Sequence, residues 1–270
     1  VHSITTDEEP MNMNRTALTG IAAVAIMAAP VAAQEEWSWN GQVPAGRTLE
    51  IKGVNGGMRA VAATGNEVQV RVTKRARRDD PGDVRMVVLE HAGGVTICAV
   101  YPHRSDSRPN ECAAGTGGRN SVHNNDVSVE WEVQVPRGVN FTARTVNGGI
   151  DATGMTGTTI ARTVNGGIKL ATSGIGQAAT VNGSIDATLG RSDWTDEIGF
   201  KTTNGSVVVA FSRDLNARVN GGTVTGNIDT DFPLEVRGRF SNRRISGTVG
   251  SGGRTLTLAT TNGNIRLRRQ

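Results

Sequence analysis

Aromatic residues are scarce in this sequence. Phe, Trp and Tyr account for 4% of the 270 residues, so the core has to be built mainly from Val, Ile, Leu, Ala and Thr. Side chains of this size suit thin layers stacked on one another better than one thick globular centre. Proline is also rare, with eight residues, whereas the 35 glycines follow no Gly-X-Y period. This composition excludes collagen, argues against disorder and indicates many tight turns.

Several motifs of enzymes and binding proteins are absent. The sequence contains no phosphate-binding loop, no dinucleotide-binding fingerprint and no calcium-binding nonapeptide repeat. His103, Ser105 and Asp106 are the residue types of a hydrolase triad, but no nucleophile elbow or orienting strand surrounds them. The histidines and cysteines that could be considered as zinc ligands do not have the spacings of known zinc sites. They are His91, Cys98, His103, Cys112 and His123. We therefore predict no catalytic residue, no metal site and no cofactor.

The first 33 residues have the pattern of a secretory signal peptide. Residues 11–33 combine a short basic start, an apolar run and small residues before Gln34. The run is too short and wrongly flanked for a membrane span, and no later apolar run is long enough. We predict a mis-assigned start before Met11 and cleavage near Ala33–Gln34. The mature chain is then exported, either periplasmic or extracellular at the cell surface, without an integral membrane segment.

The two cysteines agree with export. Cys98 and Cys112 are predicted to form a disulfide in an oxidising compartment. In the chain-entropy model, closing this loop of about 15 residues stabilises the fold by about 3 kcal/mol. The second cysteine lies in a polar stretch, Tyr101–Asn125, which is longer than an ordinary connection. Such loops are usually functional or mobile.

An Asn-Gly pair recurs through the chain and defines a repeat. Seven asparagines carry it, namely Asn55, Asn147, Asn165, Asn182, Asn204, Asn220 and Asn262. From the second to the sixth of these, the gaps are 18, 17, 22 and 16 residues. Apolar residues alternate with polar ones on both sides of each pair, so one face points inward before and after the turn. We predict that these pairs are structural corners with stacked amides, and that the Asn220 unit, which fits poorly, contains a bulge or slip.

The repeat extends beyond this central run. Val43–Gly57 and Val135–Gly149 share Val, Pro, Gly and the VNGG turn at equal spacing, 92 residues apart, and Gly253–Gly263 is a partial third copy. Between the first two copies, longer alternating runs such as Val127–Val135 indicate sheet strands with one wet face. Units of this length with short strands and tight corners are typical of a β-solenoid.

We predict an all-β fold, a right-handed parallel β-helix or β-solenoid of roughly six coils with an N-terminal β-sheet region. The terminal coils are expected to be atypical because they cap the stack. The predicted divisions are 1–33 for the mis-assigned start and signal peptide, 34–134 for the N-terminal β region with the disulfide-containing insertion, and 135–270 for the solenoid repeats.

Charged residues occupy the predicted outer face of the coils. Four residues after the Asn, the row reads Arg59, Asp151, Lys169, Asp186, Val208 and Arg266. Asp151 and Asp186 resemble the carboxylates of a polysaccharide-cleaving β-helix, so a glycan lyase or hydrolase is the enzyme alternative. Lys169 stands between them, which favours a solvent face on which like charges are kept apart.

A second outer row is basic. Three residues before the Asn stand Lys52, Arg144, Arg162 and Lys201. We predict a basic stripe beside the acidic row, which either binds a polyanion or pairs with the neighbouring carboxylates. The candidate binding surface is Arg144, Asp151, Arg162, Lys169, Asp186 and Lys201.

The densest basic run consists of Lys74, Arg75, Arg77 and Arg78. Asp79, Asp80 and Asp83 follow it, so a self-neutralising hairpin tip is favoured over a polyanion-binding patch. Loss of residues 1–33, which carry three acids and one arginine, raises the formal net charge from +4 to +6 and favours acidic polymers. No aromatic residues interleave with the basic ones, so no specific nucleic-acid binding is predicted.

Five repeats resemble the bacterial putative adhesin family, a domain of unknown function with T-x-N-G-x-I repeats: VPRGVNFTARTVNGGIDATG, ARTVNGGIKLATSG, ATVNGSIDATLG, KTTNGSVVVA and LATTNGNIRLRR. The likeness covers about Val135 to Arg269, with a weaker echo at Val43 to Val72. It implies an exported β-helix-like protein without established catalytic residues. We therefore expect a non-enzymatic, adhesin-like scaffold or binding protein of the cell envelope, whose partner is a cell-surface glycan or another envelope polymer.

Overall fold

Short alternating runs between glycine-rich turns form β-strands throughout the computed structural model of the protein. The structure describes residues 33–103, 108–191, 193–211, 215–236 and 243–270. The predicted signal peptide therefore lies outside the described residues, apart from Ala33. Within the described ranges, no helix has the length and apolar character that a membrane crossing requires.

A single short 3₁₀ helix, Pro81–Asp83, accompanies the strands of the described residues. The strands are β1 (Ala33–Gly41), β2 (Thr48–Lys52), β3 (Met58–Ala62), β4 (Val68–Ala76), β5 (Arg85–His91), β6 (Gly94–Val100), β7 (Ser128–Val135), β8 (Asn140–Arg144), β9 (Ile150–Met155), β10 (Thr159–Arg162), β11 (Ile168–Thr172), β12 (Gly176–Ala179), β13 (Ile185–Leu189), β14 (Ile198–Lys201), β15 (Val207–Phe211), β16 (Ala217–Gly222), β17 (Ile228–Thr230), β18 (Glu235–Val236), β19 (Arg244–Val249), β20 (Thr255–Ala259) and β21 (Ile265–Arg269).

The strands form two sheets. Sheet A has the order β1-β4-β7-β3-β9-β11-β13-β15-β21-β17, and sheet B the order β18-β19-β16-β20-β14-β12-β10-β8-β2-β6-β5. Each coil contributes one strand to sheet B, turns a corner and contributes the next strand to sheet A. Numbered along the stack, the coils are coil 1 (β2, β3), coil 2 (β8, β9), coil 3 (β10, β11), coil 4 (β12, β13), coil 5 (β14, β15), coil 6 (β20, β21) and coil 7 (β16, β17). Their parallel stacking confirms the prediction of an all-β solenoid.

The core lies between the two sheets. Its side chains occupy the inward positions of the alternating strands, and Phe141, Leu170 and Val209 are almost fully buried. Because aromatic residues are few, the core is thin and mainly aliphatic, and each fully buried aliphatic side chain stabilises the fold by about 1.5–3 kcal/mol. The few aromatic rings of the core include Trp194, which packs against Phe211 with the ring centroids 5.9 Å apart.

Six asparagines lie one above another at the corner between the sheets. They are Asn55, Asn147, Asn165, Asn182, Asn204 and Asn262, and the Nδ2 of each donates to the Oδ1 of the one before it at 2.7–2.9 Å. The glycine that follows leaves no room for a side chain, since a Cβ at Gly166 would collide with the carbonyl oxygen of Gly148. An inward threonine completes the corner, as where Thr163 Oγ1 donates to the same carbonyl at 2.8 Å.

The predicted corner at Asn220 is wrong. Asn220 lies inside β16, where its Oδ1 accepts a hydrogen bond from Ser246 Oγ at 3.0 Å. The residue is held in a strand because β16 pairs with both β19 and β20. Thr225 and Gly226 make the turn of coil 7 instead, and Thr225 Oγ1 donates to Asn262 Oδ1 at 3.1 Å. A threonine hydroxyl therefore ends the stack of amides.

The stack departs from chain order in two places. Coils 1 and 2, whose sequences repeat 92 residues apart, are direct neighbours. The chain between them forms β4 and β7, which extend sheet A, and β5 and β6, which extend sheet B. Near the other end, coil 6 comes from the C-terminus and lies between coils 5 and 7. Strands from residues 34–134 thus share both sheets with the repeats.

Candidate functional site

The two charged rows predicted to lie side by side are on opposite outer faces. The candidate surface splits into Asp151, Lys169 and Asp186 on sheet A and Arg144, Arg162 and Lys201 on sheet B. The prediction of a basic stripe beside the acidic row is therefore wrong, because every corner carries the chain from one sheet to the other. The six residues form two separate surfaces.

On sheet A the outer row is longer than the sequence indicates, and it alternates in sign. Six consecutive strands, from β4 to β13, place these charged side chains in register: Arg71, Glu132, Arg59, Asp151, Lys169 and Asp186. Val208 interrupts the alternation in β15. Since neighbouring strands lie about 4.8 Å apart, like charges recur about every 9.6 Å. We call the six residues the charge ladder.

The charged ends of the ladder are not paired with one another. Among the described residues, no side chain of the six forms a hydrogen bond or an ion pair, whereas Arg266 and Asp229 further along the same row approach to 3.9 Å. The Oδ1 atom of Asp151 is buried and has no hydrogen-bond partner in the described part of the chain. A buried acceptor without a donor costs about 1–3 kcal/mol. Oδ1 is enclosed by the protein, so the groups that can gain from a ligand's donors are the exposed carboxylates of Glu132 and Asp186.

A trench runs between the charge ladder and the asparagine corner. Its floor consists of Gly57, Gly149 and Gly167, which we call the trench glycines. The hollow above them measures about 570 Å³, and Asp151 and Lys169 line one side of it. A second hollow of about 360 Å³ continues over β1, β4 and β7 on the other side of the ladder. Both hollows are lined by Arg59 and Glu132, and together they reach every ladder residue except Asp186.

The backbone does not require glycine in this trench. The φ angles of the trench glycines lie outside the left-handed region. A Cβ at Gly167 would lie 3.4 Å from the carbonyl oxygen of Ser184, which is ordinary van der Waals contact. The contact is tighter at Gly149, 3.3 Å from the carbonyl oxygen of Gly167, and at Gly57, 3.1 Å from Glu130 Oε2. Coils 4, 5 and 6 carry side chains at the same position, namely Ser184, Ser206 and Asn264. Glycine at these three positions is therefore not needed for the turn, and its effect is to leave open space on the surface.

On sheet B, the stretch between Tyr101 and Asn125, which we call the disulfide loop, contacts the part of the basic row that contains Lys52 and Arg144. Lys52 Nζ donates to the carbonyl oxygens of Ala113 at 2.5 Å and Gly117 at 3.1 Å. Arg144 Nε donates to the buried carboxylate of Glu50 at 2.9 Å. Burial lowers the pKa of Lys52, against the opposing effect of the Glu50 carboxylate. Lys52 therefore binds the loop directly, and Arg144 pairs with Glu50, whose carboxylate also accepts a hydrogen bond from Gly115 N of the loop at 2.8 Å.

Arg162 and Lys201 remain exposed on sheet B. Ala179 separates them in register, and Gly199 and Glu197 line the same hollow of about 320 Å³. Glu197 accepts a hydrogen bond from Thr257 Oγ1 at 2.7 Å. This hollow is smaller than the trench and presents fewer charged groups.

The long polar stretch between Tyr101 and Asn125 is anchored at several points. Cys98 and Cys112 form a disulfide with their Cα atoms 5.8 Å apart. Nδ2 of the buried Asn110 donates to the carbonyl oxygens of Tyr101 at 3.0 Å and Ser121 at 2.8 Å. The Tyr101 hydroxyl donates to the carbonyl oxygen of Val127 at 2.8 Å, and burial raises its pKa to about 12. The described part of the loop is thus a fixed cover on sheet B.

The basic run at the end of β4 does not form one patch. Lys74 points inward, is 3% exposed, and pairs with Glu35 at 2.8 Å. Arg78 pairs with Asp126 at 3.4 Å. Because a strand sends alternate side chains to opposite faces, Lys74 is separated from Arg75, and Arg77 and Arg78 follow after β4 has ended.

The described residues contain no cluster of the groups considered for zinc. Within those residues, no three His, Cys, Asp or Glu side chains are placed to hold a metal ion. His91 Nε2 lies 3.1 Å from Thr96 Oγ1 at the edge of sheet B. Ser105 and Asp106 lie outside the described residues.

The sequence contains a signal for the trench, but it lies at neither of the positions used to predict the charged rows, four residues after and three residues before the repeated Asn. The trench residue stands two positions after each corner asparagine, so the repeats read NGG at Gly57, Gly149 and Gly167 but NGS or NGN in coils 4 to 6. Arg71 and Glu132 are absent from the predicted row because they belong to strands outside the repeat. Only the pairing of β4 and β7 with coil 1 brings them into register.

Comparison with known proteins gives a family and distant structural neighbours. No curated protein matches the chain. A crystal structure of a putative cell adhesion protein from Clostridium sporogenes is 10% identical, with a TM-score of 0.46, and covers 88% of this chain and 100% of that one. A putative adhesin from Bacteroides fragilis is 9% identical, with a TM-score of 0.38 and coverage of 86% and 97%. A putative lipid binding protein from Parabacteroides distasonis is 8% identical, with a TM-score of 0.26 and coverage of 87% and 96%.

The family comparison covers more than half of the chain. The matched segment, residues 114–268, begins in the disulfide loop and ends in β21. It therefore includes the corners and strands of coils 2 to 7. The model that matches is that of the Toastrack domain DUF4097, and the protein belongs to this family.

Proposed function

We propose that the protein is an exported, non-enzymatic, adhesin-like scaffold of the cell envelope, which holds a linear envelope polymer such as a cell-surface glycan on the outer face of sheet A. The observation that carries this proposal is the trench. Three successive coils have glycine where later coils carry serine or asparagine, and four ladder residues line the open space, namely Arg59, Glu132, Asp151 and Lys169. A polymer chain that lies along the stack meets glycine in coils 1 to 3 and a charge of alternating sign from each coil to the next.

Export is supported by the sequence and by the disulfide. Residues 11–33 have the pattern of a signal peptide, and we propose cleavage near Ala33–Gln34. Disulfides persist mainly in oxidising compartments, and the Cys98–Cys112 bond fixes a loop over a buried ion pair. Secretion of the full chain with a C-terminal tag, followed by N-terminal sequencing of the mature protein, tests this part. A mature chain that still begins before residue 33 would contradict it.

The enzyme alternative fits the geometry of the two carboxylates less well. Asp151 and Asp186 stand on next-but-one strands and point out of the same face of sheet A, with Lys169 between them. In glycoside hydrolysis the two carboxyl groups flank the scissile bond from opposite sides. Purified mature protein should release no reducing ends from acidic or neutral polysaccharides. Turnover that Asp186→Asn abolishes would overturn the non-enzymatic assignment.

The binding proposal is tested by filling the trench. Gly149→Ser and Gly167→Ser place in coils 2 and 3 the side chain that coils 4 and 5 already carry, so folding should be preserved. We expect each variant to bind isolated envelope polysaccharide at least tenfold more weakly, with an unchanged thermal midpoint. Ala171→Ser, on the same strand and face but beyond the ladder, is the matched control and should bind normally. Unchanged binding by both trench variants, or no binding by the parent protein, would overturn the proposal.

A further inference from the structure

The charge ladder has a fixed period, which limits the kind of polymer that fits it. Positive side chains stand on β4, β3 and β11, and negative ones on the strands between and after them, β7, β9 and β13. The period is two strands, or about 9.6 Å, and the six strands span roughly 24 Å from the first to the last. Two sugar rings of an extended polysaccharide have roughly the length of one such period.

The ladder needs both kinds of partner from its ligand. Arg71, Arg59 and Lys169 offer donors and positive charge, for which a carboxylate is the complementary group. Glu132, Asp151 and Asp186 carry carboxylates, which accept hydrogen bonds, and those of Glu132 and Asp186 are exposed to a ligand. A ligand whose acidic groups and N–H or O–H donors alternate along the chain satisfies every position.

Polymers of other charge patterns fit less well. A chain with an acid on every sugar places every second acid against Glu132, Asp151 or Asp186, and like charges in direct contact are destabilising. A neutral chain leaves the three cations without charged partners. A polyphosphate backbone meets the same repulsion as a uniformly acidic glycan. The alternation therefore selects by repulsion as well as by attraction.

The asparagine corner stands two residues before the trench glycines, and Glu130, which accepts a hydrogen bond from Gly57 N at 2.9 Å, lines the hollow itself. Each stacked asparagine amide uses one of its two N–H groups on the Oδ1 of its neighbour, as between Asn165 and Asn147 at 2.8 Å. The amides repeat once per coil, in step with the trench glycines. Hydroxyl groups along one edge of a sugar chain can therefore meet the same acceptor and donor pattern in each coil.

We propose that the ligand of the trench is a linear polysaccharide with a disaccharide repeat, which carries one carboxylate on every second sugar and an amide or hydroxyl donor on the sugars between. It lies parallel to the stack, with successive carboxylates at Arg71, Arg59 and Lys169. The donors of the intervening sugars bind Glu132, Asp151 and Asp186. This inference rests on the proposed function and assigns the chemical class of its ligand.

Three octasaccharides of one length test the charge pattern by isothermal titration calorimetry on the full mature chain. Hyaluronan carries a carboxylate on every second sugar and an amide on the others, polygalacturonate carries one on every sugar, and chitin carries none. We expect the hyaluronan octasaccharide to bind at least tenfold more tightly than the other two at physiological salt. Arg59→Gln and Lys169→Gln should each weaken hyaluronan binding about tenfold. Arg266→Gln, in the same row but beyond Val208, is the matched control and should leave the Kd within twofold.

The outcomes separate this inference from the proposed function. Equal binding of all three octasaccharides that Gly167→Ser abolishes would overturn the charge pattern and leave the trench as the binding site. Preference for polygalacturonate would overturn the inference in the same way. Hyaluronan binding that Arg266→Gln weakens as much as Lys169→Gln would show that general positive charge is responsible. If none of these oligosaccharides and no envelope polysaccharide binds, the inference and the proposed function both fail.

Discussion

Of the carboxylates in the described residues, Glu50 is the one whose removal should destabilise the fold most. It is 5% exposed, and its two oxygens accept hydrogen bonds from Arg144 Nε at 2.9 Å, Gly115 N at 2.8 Å and Thr96 Oγ1 at 3.1 Å. The carboxylate thus ties coils 1 and 2, β6 and the disulfide loop together. Glu50→Ala leaves Arg144 without its partner and the loop amide without an acceptor.

The magnitude follows from the burial of the pair. Removal of one partner from a buried ion pair costs about 3–5 kcal/mol, and the lower end applies here because the Arg144 side chain is 27% exposed. For a domain of this size, 1 kcal/mol corresponds to about 2–4 °C in Tm. We therefore expect Glu50→Ala to lower the Tm by about 6–12 °C and to make the loop between Cys98 and Asn125 sensitive to protease.

The matched control is Glu132→Ala on sheet A. Glu132 is an exposed ladder carboxylate without a side-chain partner in the described residues, and such surface substitutions change stability by about 0.5 kcal/mol or less. Differential scanning calorimetry of the two variants measures the contrast. Equal Tm shifts for Glu50→Ala and Glu132→Ala would refute the view that Glu50 anchors the loop.

Three further predictions concern the corner, the tyrosine and the disulfide. In urea unfolding, Gly166→Ala should lower the free energy of unfolding by about 3 kcal/mol, because the added methyl group overpacks against Gly148. Gly167→Ala should lower it by less than about 1 kcal/mol. Similar losses for the two variants would contradict the stacked corner. Tyr101 is the only tyrosine in the chain, so ultraviolet titration should show one ionisation near pH 12 when folded, against about 10 in urea. Because the pKa is raised in the folded state, this contribution to stability is present below pH 10 and is lost as the pH rises towards 12; a folded-state transition near 10 would refute the burial of Tyr101. Replacement of Cys98 and Cys112 by serine should lower the free energy of unfolding by about 3 kcal/mol in guanidinium titration, and reductant should leave this variant unaffected.

The coil was predictable because its rules are local. Period-2 alternation on both sides of an Asn-Gly pair fixes which side chains face inward, and the structure buries Phe141, Ala143 and Thr145 as that pattern requires. The position of a coil in the stack is not local. β16 and β20 alternate equally well, and only their pairing places the C-terminal coil 6 between coils 5 and 7. No pattern within either segment carries that information.

The candidate site was predictable in part for the same reason. Asp151, Lys169 and Asp186 follow from a constant offset along the repeats, and the register places them in one row. The fate of the basic row depends on a distant segment, because the loop held by Cys112 folds over Lys52. Loop contacts of this kind have no sequence period. The trench position does have a sequence period, since it stands two residues after each Asn. Its role becomes clear only when the glycine of coils 1 to 3 is compared with the serine of later coils.

The structure of the mature protein with a bound hyaluronan octasaccharide tests the central claim most directly, namely that a linear polymer lies along the trench of sheet A. The account predicts a sugar chain parallel to the stack, over Gly149 and Gly167, with carboxylates beside Arg59 and Lys169 about 9.6 Å apart. A chain bound instead on the outer face of sheet B, or one that runs lengthwise along a single strand of sheet A, would contradict it.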